Sequence, residues 1–333
     1  MNVMSIESGN SNDLDPNDVG GQPPIAARLR GADGLGESVD DQQESSLPPI
    51  KTSDKVTLYS AQSEIRSPLR LLGGIFARFW DGRELAWRLF LRNIRGLYRQ
   101  TLLGLFWAFL PPIANTAIWI FLREAQIFDT GEMSVNSTVY ILTGMILWQA
   151  YIEAFQMPLN MLNKNRNMIS KLNFPRESLL LVGIGEVIFD LLIRLLLLIP
   201  AFLIFGVAFQ SSMLLAPISI LGLILFGTAL GLLVMPLGSL YQDVGRFIAL
   251  ALPFWMILTP IIYVPFDTYP GVLLNWLNPA SPLLLLSRDW LLLGGAGHLT
   301  AGLIFGAATL PVILIGLIVF RISIPVLVER MNA

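Results

Sequence analysis

From residue 102 onward the chain runs as long apolar stretches separated by short polar connections. Crossing about 30 Å of hydrocarbon takes about 20 mostly apolar residues in a helix. Six segments meet that requirement, at 102–122, 138–158, 178–205, 213–237, 247–265 and 299–320. Two further apolar runs, "GVLLNWL" at 271–277 and "PLLLLSRDWLLL" at 282–293, are too short to cross. Joined by "NPAS", they predict a helical hairpin over 271–293 that dips into the outer side of the bilayer, a form tolerated where protein or water shields the backbone. The expected architecture is an all-α integral membrane protein with six transmembrane helices and this hairpin before the last of them.

A different pattern precedes the first span. Arg88, Arg92, Arg95 and Arg99 recur once per helical turn, which places them within an arc of roughly 60°. Trp87, Phe90, Leu91, Ile94, Leu97 and Tyr98 occupy the opposite side. Residues 66–101 therefore hold an amphipathic helix of the interfacial kind, arginines toward anionic headgroups and aromatics toward acyl chains. Such a helix is either an anchor that sets topology or a moving part. Its direct continuation into the first span at "QTLLGLFW" favours a rigid elbow.

Basic residues orient the bundle, because cytoplasmic flanks collect Lys and Arg. With the N-terminus inside, the cytoplasmic side receives the arginines from Arg66 to Arg99, then Lys164, Arg166, Lys171, Arg176, Arg246, Arg321 and Arg330. The outer side receives Arg123 and Arg288. Both termini are thus expected in the cytoplasm, with 321–333 as a C-terminal tail. The net charge of -2 conceals an acidic N-terminal stretch, residues 1–65, rich in Gly, Ser, Asn and Pro. It lacks hydrophobic periodicity and is read as a disordered cytoplasmic tail without the build of a secretory signal.

Composition narrows the chemistry. With 54% hydrophobic and 14% charged residues, no cysteine and one histidine, the chain has no means to build a thiolate site, a disulfide or a histidine-rich metal cluster. It contains no G-x-x-x-x-G-K-[ST], G-x-S-x-G or H-E-x-x-H pattern, so ATP hydrolysis or hydrolase chemistry must come from a partner. Ionisable groups inside spans are functional candidates by default. Glu186, Asp190 and Arg194 share one face of the third span, with Glu153, Gln149 and Gln156 of the second positioned to extend the set. Asp190 one turn before Arg194 suits an ion pair, and the group serves either helix registry or transport. The second cytoplasmic loop, "NKNRNMISKLNFPRES" at 163–178, pairs its basic residues with Met168, Ile169, Leu172 and Phe174. An apolar side on a basic loop points to a protein contact.

Four stretches in order resemble the permease subunits of ABC exporters for polysaccharides and polyol phosphates, the type-2 group of O-antigen, capsule and teichoic acid exporters. They are "RNIRGLYRQTLLGLFWAFLPP", "SKLNFPRESLLL", "LYQDVGRF" and "LNPASPLLLLSRDWLL". The resemblance implies a homodimer in the bacterial cytoplasmic membrane, carried by two copies of an ATP-binding-cassette ATPase that hold ATP and Mg. This chain itself would have no cofactor or metal, no catalytic residue and no nucleic-acid partner. It also implies roles. Residues 78–99 are similar to the gate helix, with Arg88, Arg92, Arg95, Tyr98 and Arg99 at lipid or glycolipid headgroups. Asn167, Met168, Lys171, Phe174, Pro175 and Arg176 resemble the coupling helix that meets the ATPase, assisted by Asp243 and Arg246. The family's Tyr-Arg-Asp-x-x-Arg appears here with Gln242 in place of the first arginine. Residues 271–293 look like the outer gate, with Trp276, Asn278 and Pro279 at or near its turn.

Transport of a hydroxyl-rich, lipid-linked glycan requires a lined channel, because an unpaired polar group costs several kcal/mol in hydrocarbon. Aromatic faces stack on sugars, and Phe106, Trp107, Trp255 and Tyr263 are the expected channel residues, although such stripes also face lipid. Two other classes compete. A proton-coupled secondary transporter would relay protons through Glu186 and Asp190, yet the chain shows no internal repeat. A membrane-embedded glycolipid transferase would need a positioned base and a metal or phosphate site, and none is legible.

Overall fold

The computed structural model describes residues 79–99, 104, 106–127, 131–171, 174–266, 268–269, 271–295 and 297–332. The acidic stretch 1–65 and the segment 66–78 lie outside these residues, as does most of the junction between the amphipathic helix and the first span. The described residues are helical, without strands. In chain order they form α1 Arg83–Arg99, α2 Phe106–Glu124, α3 Ser137–Lys164, α4 Arg166–Lys171, α5 Glu177–Leu195 and α6 Leu198–Phe205. There follow α7 Ala216–Leu240, α8 Gln242–Leu258, α9 Gly271–Leu277, α10 Ser281–Arg288 and α11 Leu299–Asn332. A 3₁₀ turn at Ser211–Leu214 and a π turn at Asp289–Leu293 complete the elements.

Three helices are long and apolar enough to cross a membrane: Glu177–Phe205, Ala216–Leu240 and Leu299–Arg330. The other expected spans fall on α2, α3 and α8. The second expected span, on α3, is the central one, buried along most of its length from Val139 to Leu162. The expected fifth span at 247–265 is displaced, since α8 ends at Leu258. Pro260 explains the stop: it has no N–H to donate, and it drives the residue before it out of the helical region. Thr259 accordingly has ψ 133°. Pro200, by contrast, lies inside α6, and the turn at Leu196 and Leu197 between α5 and α6 keeps helical dihedrals, so the third span continues through it. The last helix continues to Asn332 rather than ending at 320, with Ile324 and Leu327 buried, so the expected tail is helical.

α7 packs against α3, α10 and α11, while α5 packs against α3 and α1. The α3–α7 seam is set by Gly227 and Gly231, one turn apart. A β-carbon at Gly231 would collide with the carbonyl of Phe155, and one at Gly227 would lie 2.9 Å from the carbonyl of Tyr151. Small residues four apart let helix backbones approach closely where no hydrophobic driving force operates between them. Gly231→Ala should therefore destabilise the protein by about 1–3 kcal/mol through overpacking, measured as a lowered midpoint of thermal aggregation in detergent. An unchanged midpoint would show that the seam opens without cost.

Candidate functional site

Polar groups gather along α3 and α5. Arg194 of α5, buried in the bundle, donates from Nη2 to Glu153 Oε1 of α3 at 2.5 Å. The pair spans two helices, whereas the expected partner, Asp190, sits one turn away on the same helix. The physical reason is reach: Glu153 comes across from the facing helix and satisfies an otherwise buried cation. Arg194 Nε and Nη1, Glu153 Oε2 and Gln149 Oε1 are buried without a hydrogen-bond partner among the described residues. Glu186 belongs to a different junction. Its Oε1 accepts from Asn93 Nδ2 of α1 at 2.7 Å and lies 3.8 Å from Lys164 Nζ at the end of α3. Glu186, Asp190 and Arg194 thus share α5 but split between two contacts, and Glu186 ties three helices together.

The amphipathic helix is docked on protein as well as exposed. Ala86 and Leu89 are buried, and Phe90 sits over Gly185 of α5 with an edge-on contact to Phe189 at 6.2 Å. Part of the face expected to meet acyl chains therefore meets α5, because the glycine leaves a recess of ring size. Trp87 remains exposed and stacks on Phe90. Arg88 pairs with Glu84, while Arg92 and Arg95 are exposed and form no ion pair among the described residues. The side chains of Tyr98 and Arg99 lie outside the described residues.

The basic loop at 163–178 contains a short helix. Asn165 caps α3 through Nδ2 to the Met161 carbonyl at 2.9 Å, and α4 starts at once. Ile169 is buried, Met168 and Phe174 are half-buried against the core, and Asn167 and Lys171 are exposed. Pro175 and Arg176 are half-buried at the start of α5; Leu172 lies outside the described residues. Asp243 and Arg246 pair with each other at 3.4 Å on the exposed first turn of α8.

The hairpin over 271–293 is present as α9, α10 and the π turn. Asn278 at its bend is buried, accepting from Trp255 Nε1 at 2.9 Å and donating to Thr259 Oγ1 at 2.7 Å. Pro279 is half-buried and Trp276 exposed. Of the four expected channel aromatics, Phe106 and Trp107 are exposed. Trp255 is half-buried among Trp148, Tyr151 and Phe155. Tyr263 is buried beyond the end of α8, beside Phe266.

Arg288, counted from the sequence among the basic residues of the outer flank, has an interior side chain, only 1% exposed. Its guanidinium lies 3.8 Å from the Tyr140 ring centre and donates to the Ile261 carbonyl at 3.2 Å. The adjacent Asp289 accepts from the backbone N–H of His298 at 3.0 Å and lies 2.8 Å from its Nδ1. A cation in an apolar run needs buried partners, and that need was the available signal. The partners themselves, up to 148 positions away in Tyr140, leave no local mark.

Comparison with known proteins agrees with this architecture. Residues 84–287 match the family model described as ABC-2 type transporter. The chain is 22% identical over 204 residues to an O-antigen export system permease protein RfbA of Klebsiella pneumoniae, covering 60% of this chain and 75% of that one. It is likewise 22% identical over 176 residues to an O-antigen export system permease protein RfbA of Myxococcus xanthus, covering 52% of this chain and 65% of that one. The matched region runs from the amphipathic helix into α10, and on this ground the chain belongs to the ABC-2 type transporter family, as the membrane permease subunit of an ABC exporter.

Proposed function

We propose that this permease moves a lipid-linked polysaccharide across the bacterial cytoplasmic membrane as a homodimer, with ATP hydrolysis supplied by a separate ATP-binding-cassette subunit in two copies. In this reading α2, α3, α5–α6, α7, α8 and α11 are six spans with both termini cytoplasmic. The segment 163–177 seats in the ATPase, α1 is a gate helix at the inner headgroups, and 271–293 forms the outer gate. ATP and Mg reside on the partner.

The observation that carries the reading is the junction at Glu186. It contacts Asn93 of α1 and Lys164 of α3, and Lys164 stands next to the cap from which α4 departs. A displacement imposed on α4 by the ATPase is delivered within one residue to a carboxylate that also holds the gate helix. Packed interfaces have discrete arrangements, so a small shift there produces a switch rather than a gradual strain.

Phe174→Ala, or Arg176→Glu, should lower export about fivefold or more, the scale of a coupling free energy of about 1 kcal/mol, while the assembled complex still hydrolyses ATP. The chain has no native cysteine, so a Phe174→Cys variant cross-linked to a cysteine on the ATPase groove tests the contact itself. Failure to cross-link from any position in 167–176, with the complex assembled, would remove the coupling assignment. Export that persists without the ATPase and follows a proton gradient would replace the whole reading with a secondary transporter.

A further inference from the structure

One face of α3 carries Gln149, Glu153, Gln156, Asn160 and Asn163. The spacing alternates four and three, which confines all five to an arc of roughly 80° and extends them over about 21 Å at 1.5 Å per residue. The rest of the helix explains why this matters. Between Gln149 and Asn163 the other positions are buried except Ile152 and Leu159, which border the polar row; Gln149, Glu153 and Gln156 are half-buried and Asn160 and Asn163 exposed. The central helix of the bundle thus leaves open the one face that hydrocarbon tolerates least.

The row lies in a groove. On one side Glu153 reaches Arg194 of α5, and Lys164, beyond the end of the row, reaches Glu186 of the same helix. On the other side α8 approaches through Trp255 against Phe155. The cytoplasmic half opens into a cavity of about 220 Å³ lined by Gln156, Asn160, Asn163, Gly231, Gly245 and Ile248, among others. Gly245 adds no side chain to its wall and has nothing within 4 Å of where a β-carbon would lie. Farther along the row, Gln149 Oε1 and Glu153 Oε2 are themselves buried and have no partner among the described residues, whereas the carboxamides of Asn160 and Asn163 are exposed and that of Gln156 is half-buried at the cavity.

We infer that this row is a hydrogen-bonding track for a hydrated, polyhydroxylated chain, entered from the cytoplasmic cavity at Asn160 and Asn163. Carboxamides suit the task because each offers two donors and an acceptor and no net charge. Hydroxyls therefore exchange one amide for the next without a deep binding step, and a track for continuous movement must avoid tight sites. The single carboxylate in the row is paired with Arg194. The inference rests on the exporter reading for the identity of its ligand, but its geometry does not.

Cysteine labelling separates the two. In the Cys-free background, Gln156→Cys, Asn160→Cys and Asn163→Cys in the assembled transporter should react with a membrane-impermeant trimethylammonium methanethiosulfonate from the cytoplasmic side of inverted vesicles. The rate should exceed that of Leu203→Cys or Leu310→Cys, exposed apolar positions on α6 and α11, by about tenfold or more, since the reactive thiolate forms in water and not in lipid. Labelling should stop export. Rates equal to those of the two leucine positions would overturn the track, as would spontaneous disulfides between copies at 156, 160 and 163, which would assign the row to the subunit interface. Hydrogen bonding is read by a second pair of variants. Gln156→Asn with Asn160→Gln should keep export within about twofold, and Gln156→Leu with Asn160→Leu should lose it by about tenfold, the effect of one to two lost hydrogen bonds. Equal loss in both would overturn the amide role. Fast labelling in a complex without ATP-driven export would uphold the wet row and strike the exporter reading instead.

Discussion

Arg288→Ala should destabilise the protein by about 3 kcal/mol or more, the scale of removing one member of a buried charge cluster. Three losses combine. The Tyr140 ring loses a cation held at 3.8 Å, the Ile261 carbonyl loses its donor, and Asp289, itself 3% exposed, loses the adjacent positive charge. Deleting the side chain also leaves a cavity of arginine size between α10, α3 and the segment after α8, which adds a packing term. The measurement is the fraction of monodisperse protein in detergent across a temperature series. Arg288→Lys should recover little, because an ammonium lacks the planar face that stacks on the tyrosine. A melting profile of Arg288→Ala that overlays the unmodified protein would show that the hairpin is held by its leucines alone. Within the exporter reading, loss of this lock should also leave the outer gate unable to close, detectable as dye leakage from vesicles holding the variant.

Replacing Arg92, Arg95 and Arg99 together by lysine should lower export about tenfold or more, even though every positive charge is kept. Topology and headgroup attraction depend on charge and survive the exchange. Bidentate bonding to phosphate oxygens does not, and a lipid-linked glycan presents a diphosphate at the depth where α1 lies in the proposed orientation. Arg92 and Arg95 are exposed; Arg92 donates from Nε and Nη2 to Asn93 Oδ1 at 3.4 and 3.3 Å, long bonds that a phosphate would replace. Export is measured in cells at matched membrane levels, with assembly with the ATPase verified separately. Full export would reduce α1 to an anchor. The contact of Asn93 with Glu186 supplies the reason that phosphate binding would matter beyond attachment: the arginines and the Glu186 junction are on one rigid helix.

The elements were readable because hydropathy and periodicity are local properties. The arginine repeat marks α1, the apolar runs mark the long helices, and "NPAS" between two short runs marks the hairpin. Where the structure departs from hydropathy, the cause is local. The apolar run of the fifth span continues past Pro260 into Ile261, Ile262 and Tyr263, and their burial in a turn rather than a helix is invisible to a hydropathy window. The apolar run of the last span ends at 320, but the helix continues to Asn332, with Ile324 and Leu327 buried.

By itself, then, the sequence determined that this is a helical membrane protein with a cationic amphipathic helix, a basic loop with an apolar side and no phosphate loop, since each of these follows from residues within a few turns of one another. The tertiary structure decided the partners of its polar groups. Arg194 meets Glu153 across 41 positions, Asn93 meets Glu186 across 93, and Arg288 stands over Tyr140. Helical spacing states which side chains share a face but not what that face meets, because the neighbour is chosen by the packing of the entire bundle. The amide row of α3 shows this most directly: its spacing is written in the chain, but only the burial of every other face of that helix reveals that the row is the one left open.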